Sequence, residues 1–164
     1  MKKPWGGRFK KKTAKTLEEF SQSISFDRRL WQEDIEGSRA HAQMLKKLGI
    51  IDENELKQIL QGLEEIEKEI KEGKFQFKEE LEDVHMNIER ALIEKIGSAG
   101  AKIHTARSRN DQVATDLRLY LRKQIHRLIW QLTELEKTFI FLAEKHIDTI
   151  MPGYTHLQKA QPVL

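Results

Sequence analysis

Cysteine is absent from the 164 residues, and proline occurs only at Pro4, Pro152 and Pro162. Without a thiol there is no disulfide, no thiolate nucleophile and no cysteine metal site, a composition that suits a reducing compartment. The 147 residues between Pro4 and Pro152 lack the residue that most strongly breaks helices, which favours long helical segments. No apolar run approaches the ~18 residues of a membrane span, and no signal-peptide pattern opens the chain. The expectation is a cytoplasmic protein with no membrane partner.

Charge of one sign is also scarce outside the first twelve residues. Those hold six bases (Lys2, Lys3, Arg8, Lys10, Lys11 and Lys12) and no acid, whereas the remaining residues carry 23 bases against 26 acids. The body is slightly acidic and has no general nucleic-acid footprint. Residues 1–15 are expected to be a flexible basic arm.

What is present is amphipathic helix. Thr16-Leu-Glu-Glu19 has the form of a capping box, which predicts a helix starting near Leu17, and Asp27 has the form of the next cap. Leu30, Trp31, Ile35, Ala42, Leu45 and Leu48 keep helical spacing up to Gly49, with the small residues Gly37 and Ser38 allowing a close approach mid-helix. Asp52-Glu-Asn-Glu55 is a second capping-box start, followed by Leu56, Ile59, Leu60, Leu63, Ile66 and Ile70 on one face, and by Gly73. A further helix is predicted over 80–96, then a polar loop over 98–109. Over 110–147, Leu121, Leu128, Leu135 and Leu142 recur every seven residues, with Ile125, Leu132 and Phe139 four residues later in each heptad. These are the two seams of a coiled-coil-like stripe. Such a helix spans roughly 57 Å and needs other long helices to cover it. The predicted class is all-α: a small amino-terminal helical domain over 1–109, then the first long helix of a central bundle over 110–164. Pro162 is expected to start a second bundle helix.

Three polar segments carry candidate chemistry. In "HTARSRNDQ" (104–112), Arg107 and Arg109 can bind carboxylates in bidentate fashion at a helix N-terminus, whose free N–H groups favour an anion. The same residues also fit a plain N-cap, with Ser108 or Asn110 capping and salt bridges to Asp111 and Asp116. In "EDVHMNIER" (82–90), His85 and Glu89 stand at i, i+4 and either share a metal or leave His85 as a hydrogen-bonded histidine at the edge of the buried face. In "MPGYTHLQKAQP" (151–162), His156 is either an acid or base near neutrality or an exposed loop residue, and Thr155 beside it can hold a substrate oxygen. His41, His126 and His146 fall within helical patterns and fit packing or surface roles. There is no Walker loop, G-x-G-x-x-G or nucleophile elbow.

These segments, with "PWGGRF" (4–9) and "SISFDRRLWQEDIEGSRAHAQML" (23–45), occur in the order and form found in argininosuccinate lyases of the fumarase/aspartase superfamily. The chain strongly resembles that family along essentially its whole length. The resemblance implies elimination of argininosuccinate to arginine and fumarate in arginine biosynthesis. It implies no metal or organic cofactor, and a homotetramer of long helices in which each active site draws on three subunits. By motif match, Ser23, Asn110 and Thr155 contact substrate, His156 serves in acid/base chemistry, and His85, Arg107 and Arg109 line the pocket. The family's later "GSSxMPQKKNP" loop, which carries the serine assigned to catalysis, is not found in these 164 residues. The chain therefore resembles an amino-terminal part, expected to be inactive alone.

Other readings are narrower. Another fumarate-releasing enzyme, such as adenylosuccinate lyase, is disfavoured by the "RSRND" loop. A delta-crystallin-like structural role shares the same motifs. A coiled-coil scaffold binding nucleic acid through its basic arm accounts for the heptads but not for the polar loops.

Overall fold

The computed structural model describes residues 13–164. The basic segment of residues 1–12 and the "PWGGRF" motif lie outside the described residues. The chain divides into two compact units, 1–120 and 121–164.

The first unit is helical. Short α1 (Lys15–Ser21) and α2 (Ile24–Asp27) precede α3 (Trp31–Lys47), α4 (Glu53–Lys71), α5 (Val84–Ile96) and the single turn α6 (Ser98–Ala101). α7 (Arg109–Lys145) starts in this unit. α3, α4 and α5 pack against one another around Ile35, Ala42, Leu45, Leu56, Ile59, Leu63, Ile66, Val84, Ile88 and Leu92. Ile59, Leu63 and Ile66 are 0% exposed, so each contributes about 1.5–3 kcal/mol of burial. Gly62 permits the α4–α5 approach: a Cβ there would stand 2.6 Å from Leu92 Cδ1. The Asp52 capping box forms as expected, with Glu55 N–H donating to Asp52 Oδ1 at 2.8 Å and Asp52 N–H donating to Glu55 Oε2 at 3.1 Å.

Several local expectations are corrected. Thr16 lies inside α1, whose N-cap is Ala14, so the capping-box pattern there is not used. Asp27 does not cap the following helical turn with its side chain; its Oδ2 accepts from Ser23 Oγ at 2.6 Å. The helix predicted over 80–96 is interrupted: Glu79–Leu81 is a 3₁₀ turn, and α5 starts only at Val84. The expected loop over 98–109 is also partly helical, through α6 and a 3₁₀ turn at Lys102–His104.

α7 runs 37 residues, about 55 Å, close to the predicted extent. In the second unit its seam residues Leu121, Ile125, Leu128, Leu132, Leu135, Phe139 and Leu142 are 43–62% exposed. The segment after it forms an antiparallel hairpin, β1 (Met151–Thr155) with β2 (Gln158–Val163). Pro162 is thus in a strand, opposite Pro152, and not at a helix start. A Cβ at Gly153 would stand 2.5 Å from the Gln161 carbonyl, so glycine is required at this irregularity in the pairing. Apart from this hairpin the fold is all-α among the described residues. None of its helices is long and apolar enough to cross a membrane.

Candidate active site

The sequence that places Ser23 and His85 is the turn between the 3₁₀ segment and α5. Glu82 adopts φ 66°, ψ −59°, and Asp83 N–H donates to the Leu81 carbonyl at 2.7 Å. This is a γ-turn with positive φ at a non-glycine residue, a strained form. The Glu82 carbonyl accepts from Ser23 N–H at 2.8 Å and Ile24 N–H at 3.0 Å, which pins the start of α2 to the turn. Asp83 then caps α5, accepting from Met86 N–H at 2.6 Å. Burial raises the Asp27 carboxyl above its ordinary range, against the opposing hydrogen bond from Ser23.

Behind this turn, three helices bring together a buried polar cluster. Asp34 on α3, His85 on α5 and Asp116 on α7 are each 1–2% exposed. His85 Nδ1 is 2.7 Å from Asp34 Oδ1 and 3.3 Å from Asp116 Oδ2. Burial opposes a charge on His85, but the hydrogen bond to Asp34 and the charges of Asp34, Asp83 and Asp116 outweigh it and raise its pKa. Burial, followed by the Asp34 charge, pushes the Asp116 carboxyl up to about 7. Its Oδ2 has no hydrogen-bond partner, so a proton held at Asp116 relieves the repulsion between the two carboxylates.

Arg107 reaches the same cluster. Its Nη1 and Nη2 donate to Ser38 Oγ at 3.3 and 3.2 Å, and its Nε is buried without a partner. Burial lowers its pKa, while Asp34, Asp116 and Glu89 oppose that shift. The small residues Gly37 and Ser38 face this cluster, where a Cβ at Gly37 would make an ordinary contact 3.5 Å from Asp116 Oδ1. Asp34, His85 and Asp116 present ligand atoms within 4.8 Å of one another, a set able to hold a metal ion. The Arg107 guanidinium and one proton, on His85 or on Asp116, already balance the two carboxylates, so the cluster also closes in charge by itself.

The Arg109 guanidinium is held at each nitrogen. Nη1 donates to Gln112 Oε1 at 2.5 Å, Nη2 lies 3.3 Å from Glu89 Oε2, and Nε lies 3.3 Å from Asp83 Oδ2. Glu89 is also 3.2 Å from His104 Nδ1. The i, i+4 pair therefore separates in its contacts: Glu89 turns to Arg109 and His104, and His85 to the two aspartates. His85 is wholly buried rather than at the edge of its helix face. Arg109 pairs with Asp83 and Glu89, not Asp111. Ser108, not Asn110, caps α7: its Oγ accepts from Asn110 N–H at 3.2 Å, and its own N–H donates to Asp111 Oδ2 at 3.0 Å. His41 sits beside this loop, with Nε2 2.9 Å from the Thr105 carbonyl oxygen.

Ser23, His85, Arg107, Arg109 and Asn110 thus all belong to the first unit, with Asn110 exposed on the first turn of α7. Thr155 and His156 belong to the second unit. There Thr155 pairs with Gln158, and His156 (φ 47°) and Leu157 (φ 62°) form the two-residue hairpin turn. Positive φ at both positions is a form that favours Asn-Gly, so this turn is strained. Of the polar cluster residues the sequence did not single out Asp34; Gln112 closes the quoted 104–112 segment without an assigned role, and Asp116 was expected only as a salt-bridge partner of that loop. The available signal was the Gly37-Ser38 pair, which marks where another element approaches α3.

The Lyase family profile matches residues 7–164. Over 163 residues the chain is 57% identical to the argininosuccinate lyase of Aquifex aeolicus, covering 99% of this chain and 36% of that protein. It is 56% identical over 162 residues to the argininosuccinate lyase of a Sulfurihydrogenibium species (99% and 35% covered). It is 53% identical over 161 residues to that of Staphylococcus carnosus (98% and 35% covered). The chain spans about a third of the length of the curated relatives it matches. With the profile running through the capped γ-turn, the buried aspartate–histidine cluster and the whole of α7, the chain belongs to the lyase family.

Proposed function

We propose that the whole protein carrying this chain is an argininosuccinate lyase, a carbon–nitrogen lyase that eliminates fumarate from argininosuccinate and leaves L-arginine. The observation that carries this is 57% identity across 99% of the chain to a protein of that name. In the elimination, a base removes the proton from the carbon next to a carboxylate, and that electron pair forms the double bond of fumarate. The carbon–nitrogen bond breaks, and the guanidino nitrogen takes up a proton. Negative charge grows on the carboxylate as the proton leaves, so fixed donors aimed there accelerate the step. Asn110, at the N-terminal turn of α7, Thr155 and Ser23 are assigned to that substrate contact. His156 is assigned to proton transfer, and His85, Arg107 and Arg109 to the pocket wall.

No metal or organic cofactor is assigned, and the reaction runs in the cytoplasm. Residues 1–109 form the amino-terminal domain, and 110–164 begin the central bundle. The half-exposed heptad stripe of α7 supports assembly as a homotetramer. The test is fumarate absorbance on adding argininosuccinate to the purified whole protein, with adenylosuccinate in parallel. Fumarate from argininosuccinate alone is expected; its absence, or preference for adenylosuccinate, overturns the proposal.

A further inference from the structure

We propose that Gln112 is a positioning residue for the turn that carries Arg107, Arg109 and Asn110, acting through an amide bridge between Asp34 and Arg109. This deepens the lyase reading of the site and rests on it. Gln112 is 4% exposed, on the first turn of α7. Its Nε2 donates to Asp34 Oδ1 at 3.2 Å, and its Oε1 accepts from Arg109 Nη1 at 2.5 Å. A carboxylate only accepts and a guanidinium only donates, so the bridge needs a donor at one end and an acceptor at the other. Glutamate has acceptors at both ends, lysine and arginine have donors alone, and methionine has neither. A glutamine amide meets both requirements at this length.

The bridge ties two candidate site residues to one carboxylate. Asp34 Oδ1 also accepts from His85 Nδ1 at 2.7 Å, so the same oxygen orients His85 directly and Arg109 through Gln112. The other two nitrogens of Arg109 face Glu89 and Asp83, which belong to α5 and its cap. Gln112 adds the link to α3, so the guanidinium is tied to α3 as well as to α5. Asn110 is the next residue after Arg109, and its placement follows that of the turn. A shift of about 1 Å in such a group costs on the order of 100-fold in rate.

The test compares Gln112→Glu with the unsubstituted chain in the whole protein. Gln112→Glu sets two carboxylates against each other. The variant is expected to lose about 10- to 100-fold in kcat with a smaller change in KM. A purely structural role would move the thermal midpoint and leave kcat per folded site unchanged. A folded Gln112→Glu variant with parental kcat overturns the proposal. Gln112→Met removes both ends without adding charge and probes the bridge independently: a loss of kcat like that of Gln112→Glu is expected, and kcat near that of the parent refutes the bridge. Absence of turnover in the unsubstituted protein instead refutes the lyase reading, and is seen before any variant is made.

Discussion

The Nδ1 of His85 and the Oδ1 of Asp34 stand 2.7 Å apart, with side chains 1% and 2% exposed. The two residues lie 51 positions apart in the chain, and their contact joins α3 to α5 inside the core. A buried pair of this kind makes the loss of one partner costly, because the other is left desolvated and unpaired.

Asp34→Ala should therefore destabilise the fold by about 3 kcal/mol or more, since it strips partners from both His85 and Gln112. Asp34→Asn keeps an acceptor for His85 and should cost less than half as much. Urea denaturation followed by circular dichroism measures both. Equal midpoints for the alanine variant and the parent would show that the pair does not stabilise the fold.

Proton binding at the cluster makes stability depend on pH. The folded state holds Asp116 up to about 7 against an ordinary 3.8, and His85 above its ordinary 6.5. In both cases the folded protein binds the proton more tightly than the unfolded chain. The stabilisation is then fully present below the unfolded values and is lost as pH rises through the folded ones. Glu55 and Glu67, held below the usual carboxylate range chiefly by hydrogen bonds from Lys102 and Lys71, act only at lower pH. The denaturation midpoint should fall between about pH 5 and about pH 8, and Asp116→Asn should flatten that fall. A midpoint that rises across this window contradicts the shared proton.

The γ-turn at Glu82 gives a backbone test. A β-branched residue resists φ 66°, whereas glycine adopts it without steric cost. Glu82→Val should be less stable than Glu82→Gly by about 1–3 kcal/mol. If the order of the two midpoints is reversed, the turn is not held as described.

His156 lies at an exposed hairpin turn, so replacing it should leave the fold intact while removing its assigned chemistry. In the whole protein, His156→Asn should lower kcat by about 10²- to 10⁴-fold with a thermal midpoint close to the parent. A variant with parental kcat would take His156 out of the proton-transfer role.

Much of the helical layout was legible because it is written locally. The Asp52 box formed because Asp52 and Glu55 need only each other's backbone. The heptads from Leu121 to Leu142 marked α7 because their spacing is itself the helix period. Gly49 and Gly73, both with positive φ, follow the two helices whose ends they were expected to mark. The misses share the opposite cause. Thr16 matched a capping pattern, but the chain enters that helix earlier, at Ala14. Pro162 suits a helix start and an extended strand equally well by its fixed φ, and pairing with β1 selected the strand.

The candidate site divides the same way. Ser23, His85, Arg107, Arg109, Asn110, Thr155 and His156 are proposed from short motifs, which residue type and order are enough to mark. Asp34 sits in a helical stretch that looks like ordinary charged surface, and Gln112 and Asp116 carried no site role from sequence alone. Their meaning depends on contacts such as that of Gln112 with Asp34, 78 positions apart. The sequence by itself determined the helices, their caps and the polar motifs, because periodicity and capping act within a few residues. Only the tertiary structure decided which charges leave water and face one another, because desolvation is a property of packed elements and not of any single segment.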